Sequence, residues 1–567
     1  MNDEIVSFQP IAWAAPSRRM PAMRKDQLVC QMMERFSEAA CQQACKHEPD
    51  LCMKQAELID RYQLRGPQSE QAADTLRRET CKRAPGLPEC ASLSQKVMPV
   101  LRFCGSGTIG DELVPKLAAS FLKERCGEEA VKATISEKPP IYHVSARHSR
   151  TGEIWRVIIT TPGTESGWPR VKEGSCDIAM ASAPLTREQT DPGTTKPADE
   201  YVEHLLARDG IVFVVNSDTP PVTRLTLGQV REILRGKTTE WAAVGGPSGP
   251  IHLRIFDKTA GTRKLLLSML NLAENDIPKE NGSTVFEYLR GVELNKDINS
   301  DRYAIGFTGI PDKKTSKALA ISDQRDGNEP LPFIDLTPAS VAREDYPLSR
   351  PLYLYTRKDE KAVHVRDFIQ FLKSTSAKEV MKEMPLGSPF PSLADKFSAP
   401  SIEWPDEKEE GLKRYHALTS RAYQMSRTLH YVANSAEREE WNPWDEKLDE
   451  QIAALLVDQA KPRSSVLLLG FADNQGKSPA GNERISLHRA QNFADRLLEK
   501  LRSGTQGQTP FTLHSSCRRD DNVPPEKTSP YQIACYGFGS KLFLGTNSTD
   551  KGRQKNRRVE IWIRPGS

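Results

Sequence analysis

From residue 97 to about residue 397, short apolar runs alternate with Gly/Ser/Thr turns and then with amphipathic stretches. That alternation predicts strands feeding helices, the texture of an α/β unit with largely parallel sheets. Strands are expected at 100–103, 157–161, 177–180, 211–215 and 252–256, with a turn at 105–110 and a helix over 111–126. The preceding 97 residues read differently. Residues 27–60 and 68–98 hold no glycine but Gly86 and are rich in good helix formers, which predicts a helical hairpin broken at Arg65-Gly66-Pro67. Beyond 397, a Pro/Glu/Lys-rich stretch to 411 reads as a linker, continued by a helical segment over 413–425. Alternation then resumes over 424–567, with strands near 428–432, 466–471 and 558–563 and helices near 444–459 and 486–501. The expected organisation is a cysteine-rich helical region at 1–97, an α/β sandwich at 98–397, a linker at 398–423 and an α+β sandwich at 424–567.

A chain of 567 residues is too long for one core and fits three or four domains. It holds no apolar run of bilayer length. A net charge of +4 gives no global reason to wrap a polyanion, so nucleic acid is not an expected partner. The eleven cysteines change the picture more. Cys30, Cys41, Cys45, Cys52, Cys81 and Cys90 crowd the first hundred residues, Cys104, Cys126 and Cys176 follow, and Cys517 and Cys535 stand near the end. Zinc sites favour C-x2-C pairs, which this pattern lacks, so disulfides and an oxidising compartment such as a bacterial periplasm are the expectation. An export signal is not evident: Asp3 and Glu4 stand where positive charge is wanted, although Ala12-Trp13-Ala14-Ala15 resembles a cleavage site.

Candidate chemistry lies in three strand-to-helix turns: Gly105 to Gly110, Pro162 to Gly167, and Asp257 to Arg263. A helix start offers unpaired N–H groups and partial positive charge, and small residues let an anion reach them. Each turn alone reads equally well as helix capping; three in order within one unit point to an anion site. His143 and His148 form no metal pair, and no Gly-x-Ser-x-Gly elbow ends a strand, so neither an enzyme nor a metal or cofactor is expected.

Residues 98 to about 395 resemble the substrate-binding proteins of phosphate ABC transporters. The resemblance is carried by Gly105-Ser106-Gly107-Thr108, Gly163-Thr164, Gly174-Ser175-Cys176-Asp177-Ile178, Asp209-Gly210-Ile211, Gly261-Thr262-Arg263, Ala304-Ile305-Gly306-Phe307 and Tyr346-Pro347-Leu348-Ser349-Arg350-Pro351-Leu352. It implies two lobes closing over phosphate or a related oxyanion, with an ABC permease as transport partner. Carried over by position, Thr108 with the Ile109 backbone, Thr164, and Gly261 with Thr262 would contact the anion. Three positions depart from the pattern: Ser182 replaces an acidic residue, Ala260 a serine, and Phe256 the buried arginine. Arg254 or Arg263 is expected to supply the missing guanidinium. Glu165 lies within a turn that should attract anions.

Residues 466–567 resemble the peptidoglycan-binding domain of OmpA-like proteins, through Gly470-Phe471-Ala472-Asp473, Asn482, Ile485-Ser486-Leu487-His488-Arg489-Ala490 and Asn556-Arg557-Arg558-Val559-Glu560-Ile561. The resemblance implies that Asp473 and Arg489 clamp the two charges of a diaminopimelate in the wall peptide, in a pocket shaped by Asn482 and Arg557. A Cys517–Cys535 disulfide would staple the variable loop between them. The expected whole is a periplasmic oxyanion-binding protein tethered to the wall beneath the outer membrane. The rival reading is a structural or adaptor protein of the envelope whose cleft has decayed.

Overall fold

The computed structural model describes residues 97–565 except 128, 138–139, 186–199, 219, 259, 289–290, 311–314, 326–328, 394–401, 407–408, 439–446, 460–463, 477, 505–510 and 518–530. The expected N-terminal helical hairpin and its six cysteines lie outside the described residues.

The first lobe is built from β1 (Val97–Gly105), β2 (Val131–Glu137), β3 (Pro140–Arg147), β4 (Ile154–Thr160) and β5 (Ile178–Ala181), and β6 (Tyr201–Val215) leads out of it. The second lobe contains β7 (Arg224–Thr226), β8 (His252–Phe256), β9 (Val285–Tyr288), β10 (Ala304–Gly309), β11 (Lys317–Ala318), β12 (Ala320–Ser322) and β13 (Phe333–Ile334). β14 (Ser349–Arg357) returns to the first lobe. One long sheet runs β2-β3-β4-β1-β5-β14-β6-β10-β8-β9, with β1 parallel to β4 and β5 and β8 parallel to β9 and β10. Every residue of β5 and β10 is buried, as expected of strands covered on both faces. The helix α1 (Leu113–Cys126) packs Leu117, Phe121 and Leu122 into the first lobe and stops at Gly127, whose φ of 78° terminates it in the left-handed region.

Two apolar cores mark the lobes. Leu206, Ala207 and Leu352 belong to the first, Ile211 and Leu348 to the second. The chain therefore crosses between lobes at 208–210 and back at 348–350, where Asp209 pairs with Arg350 and Gly210 with Ser349 across the β6–β14 ladder. These crossings form the hinge. A disulfide joins Cys104, at the end of β1, to Cys176, just before β5.

His204 on β6 faces Thr356 on β14, with Nε2 and the hydroxyl 3.0 Å apart. Burial, reinforced by the Lys373 charge, pushes its imidazole down to about 4. The unfolded chain then binds the extra proton between pH 6.5 and 4, so stability present above 6.5 is lost across that window as pH falls. After discounting for partial exposure, about 1–2 kcal/mol is expected. Thermal unfolding against pH should show a shallower acid slope for His204→Gln; equal slopes would remove His204 as the cause.

The C-terminal unit begins earlier than the sequence suggests. β15 (Ile402–Glu403), within the expected linker, pairs with β13 of the second lobe. The helix α2 (Glu410–Thr419) then covers one face of a six-stranded sheet. Its strands are β16 (Tyr423–Gln424), β17 (Leu429–His430), β18 (Ser465–Gly470), β19 (Phe511–Leu513), β20 (Tyr531–Gly537) and β21 (Arg558–Arg564), in the order β16-β21-β18-β20-β19 with β17 beside β21. Along β18, Val466 and Leu468 face α3 (Leu448–Gln459) and α4 (Pro479–Gly504), while Leu467 and Leu469 face α2. Three layers result, because the segment expected as a linker supplies the third. The helix α4 starts two turns before the expected residue 486: Ser478 caps Gly481 N through Oγ at 3.1 Å, and Pro479 suits a first helical position. The Cys517 and Cys535 sulfurs are bonded, with Cα atoms 4.9 Å apart.

Candidate functional site

Three turns meet beside the hinge. β1 ends at Gly105, with φ of 135° and no room for a Cβ, which would lie 2.2 Å from Met180 O. The chain then enters a single helical turn, Gly107–Gly110, carrying Thr108. Ile109 buries its side chain in the first lobe, and its N–H donates to Ser106 O at 3.3 Å. In the second turn Gly163, at φ of 112°, presents Thr164, whose Oγ1 lies 3.2 Å from Ser182 Oγ and accepts from Ser182 N at 3.4 Å. The third turn opens α5 (Gly261–Leu270), whose first turn has no side-chain cap. A Cβ on Gly261 would stand 3.5 Å from Thr164 Oγ1 and 3.8 Å from Ser182 Oγ, so the second lobe closes on the first there.

Arg350 ties the cluster together. Its Nε and one terminal nitrogen donate to Asp209 Oδ2 at 2.9 and 2.5 Å. The other terminal nitrogen donates to Thr262 Oγ1 of the second lobe at 3.0 Å, and the first also reaches Thr108 Oγ1 of the first lobe at 3.4 Å. Asp209 Oδ1 meanwhile accepts from Ile310 N at 3.0 Å. Both side chains of the pair are buried, at 1% and 0% exposure, so the charges are desolvated and mutually fixed. Because Thr108 and Thr262 accept from the guanidinium, their own hydroxyl hydrogens are left to donate. One hydroxyl of Thr164 and Ser182 is likewise left as donor whichever bonds the other. The mouth is closed by an exposed ion pair: Lys264 Nζ, on α5, donates to both Glu165 oxygens at 2.9 Å. Glu165 is thus neutralised across the cleft.

Neither arginine expected from the sequence reaches this cluster. Arg254 donates to Asp297 at 2.5 Å and Asp301 at 2.8 Å, and lies over the Phe286 ring. Arg263 is held by Glu274, by Glu287 at 2.8 Å and by Phe256 O at 2.6 Å. Carboxylates of the second lobe claim both. Sequence reasoning passed over Arg350 although its segment was among the marks of resemblance. The only signal was that resemblance: Arg350 stands between Ser349 and Pro351, whereas Arg254, between Leu253 and Ile255, looks more like a charge buried within a strand.

The C-terminal residues are arranged differently from expectation. Asp473 Oδ2 accepts from Arg557 at 2.8 Å and Oδ1 from Gln475 N at 3.2 Å. Arg557 also donates to Tyr431 O at 2.8 Å. Arg489 is only 1% exposed and donates to three main-chain carbonyls: Phe471 at 2.9 Å, Ser435 at 2.9 Å and Val432 at 3.1 Å. Burial lowers its guanidinium to about 10, with Asp473 acting against the shift. Asn482 is buried beneath Gly476, where a Cβ would collide with its Oδ1. A cavity of about 450 Å³ opens beside them, lined by Ala433, Gln475, Asp550, Lys551, Arg553, Gln554 and Arg557. Of the four residues expected to bind the wall peptide, only Arg557 lines it. The segment 432–435 takes two of the donors of Arg489, so its guanidinium is engaged by the main chain.

Comparison with known proteins bears on the middle of the chain. The PBP superfamily domain matches residues 153–376. "Phosphate-binding protein PstS" of Staphylococcus saprophyticus is 28% identical over 264 residues, 44% of this chain and 78% of that protein. "Protein SphX" of Synechococcus elongatus is 28% identical over 232 residues, 39% of this chain and 66% of its own. Among solved structures, an ABC-type phosphate transport receptor from Vibrio cholerae is 24% identical, covering 51% of this chain and all of its own, with a TM-score of 0.38. A substrate-binding protein with bound phosphate from Clostridium perfringens is 22% identical, covering 51% and 98%, with a TM-score of 0.38. Over its middle the chain is PstS-like, a periplasmic-binding-protein-like α/β region to which an extra C-terminal sheet is joined.

Proposed function

We propose that the two-lobed unit binds a small tetrahedral oxyanion, phosphate first among the candidates, between Thr108, Thr164, Ser182 and the Gly261-Thr262 turn, with Arg350 as its guanidinium. The observation that carries this reading is Arg350 itself, held by Asp209 and hydrogen-bonded at once to a threonine from each lobe. An anion placed there would meet hydroxyl donors from both lobes, an uncapped helix start and a fixed positive charge. The similar PstS of Staphylococcus saprophyticus is named a phosphate-binding protein, which favours phosphate. The function is binding, without catalysis, and delivery to an ABC permease in the periplasm is the setting it fits.

Ser182 stands where a carboxylate could accept an anion's proton, so discrimination should suffer more than affinity. Calorimetry on the full chain is expected to give phosphate, arsenate and sulfate affinities within about tenfold of one another. A phosphate preference above about 10⁴-fold would require a dedicated proton acceptor and a different site. Absence of binding by all three would favour the adaptor reading.

We further propose that residues 424–567 hold peptidoglycan peptide through the cavity beside Asp473 and Arg557, tethering the protein to the wall. The cavity supports this, with Arg553 and Lys551 for a carboxylate and Asp550 for an ammonium group. Retention of Asp550→Ala/Arg553→Ala protein on purified peptidoglycan at the wild-type level would refute it.

A further inference from the structure

The C-terminal unit does not hang from the two-lobed unit on a tether. On the second lobe, Thr546 N donates to Asp323 at 3.0 Å, Thr546 Oγ1 to Glu329 at 3.0 Å and Asn547 Nδ2 to Glu329 at 2.7 Å, while Leu544 enters that lobe's apolar core. On the first lobe's side, Ser392 N donates to Ser426 Oγ at 2.9 Å, Ser426 N to Ser392 O at 2.8 Å, and Leu393 bridges to Met425. Phe390, two residues before Ser392, packs against the first lobe's core. A third contact falls just before the second crossing: buried Lys555, on the helix α6 (Asp550–Asn556), donates to Tyr346 O at 3.1 Å and reaches Asp345 O at 3.5 Å, four and five residues before Arg350. Beside it Arg208, at the first crossing, pairs at 2.6 Å with Glu344, four residues before the second. Burial opposes the Glu344 charge, yet Arg208, with His430, Arg427 and Lys551 of the C-terminal unit behind it, holds its carboxyl down to about 2.

We infer that the C-terminal unit is a clasp on the hinge: seated on both lobes at once, it resists their parting and so slows release of the anion from the cleft. One packed body fixed to two others leaves them no independent rotation; opening must break the Glu329 seat, the Ser392 seat or the Lys555 contact. A restraint that favours the closed arrangement raises apparent affinity, because less of the closing free energy is drawn from the ligand. By reciprocity, a filled cleft holds the C-terminal unit more firmly.

The release arm rests on the phosphate reading above; a second arm does not. In the full chain, release of labelled inorganic phosphate into excess unlabelled phosphate should accelerate about tenfold in Lys555→Met and in Glu329→Gln, and more in the double variant. Neither residue belongs to the anion site. Without any ligand, amide hydrogen exchange at 208–211 and 348–350 should quicken in the same variants. Thr546→Val removes one hydroxyl donor and no charge, and serves if Lys555→Met does not fold. If wild type binds no phosphate but hinge exchange quickens in the variants, the functional reading falls and the clasp stands. Unchanged hinge exchange in variants with intact folds would overturn the clasp.

Discussion

Arg350→Met is expected to weaken phosphate binding by about 2–5 kcal/mol, roughly thirtyfold or more, because the cleft loses its only guanidinium among the described residues that touches both lobes. Stability should fall as well, by about 3–5 kcal/mol, since Asp209 would be left as a buried carboxylate with only Ile310 N as a donor among the bonds described. The two losses separate in a double variant. Adding Asp209→Asn to Arg350→Met neutralises the stranded charge and should return much of the stability while leaving affinity low. Calorimetry and urea unfolding on the same proteins make the comparison. Affinity restored in the double variant would mean that Arg350 acts only by balancing Asp209.

Replacing Arg489 should damage the fold of the C-terminal unit before it affects any ligand. Its guanidinium satisfies the carbonyls of Phe471, Ser435 and Val432, joining the end of β18 to the segment after β17. Arg489→Ala leaves the Phe471 and Ser435 carbonyls without this donor, while Val432 O keeps Ser435 N at 3.3 Å, and opens a side-chain-sized void, for which about 3–5 kcal/mol is expected. The unfolding midpoint of the full chain should drop, since the C-terminal unit is packed on both lobes. A midpoint unchanged within about 0.5 kcal/mol would return Arg489 to the role of a ligand-facing charge.

What the sequence disclosed and withheld follows the range of the interactions. The three strand-to-helix turns could be read because glycine and threonine at such a junction encode local backbone geometry, and Gly105 and Gly163 do adopt positive φ there. The strands were legible as apolar runs, although β6 extends ten residues before the expected start at 211 because its first half belongs to the other lobe. The charge partner was not legible. Arg350 meets Asp209 across 141 residues and Thr108 across 242, and no local pattern distinguishes it from Arg254 or Arg263, each of which sits closer in sequence to a turn. Those two were claimed by Asp297, Asp301, Glu274 and Glu287, and only the packing of the second lobe could assign them. The same holds for Arg489, whose spacing from Asp473 is right for a shared pocket but whose donors are already spoken for by carbonyls.

β15 also governs how this protein can be divided. A fragment ending at residue 397 would seem a natural cut, yet it would strip Ile402–Glu403 from β13 and leave Phe333 and Ile334 with unpaired main-chain groups. It would also remove Trp404, which packs against the apolar clusters of both units. An exposed strand edge over an uncovered apolar patch is a template for pairing with another copy. Such a fragment is therefore an aggregation hazard, and the shortest workable version of the two-lobed unit must carry its strand from the neighbouring unit or be expressed together with it.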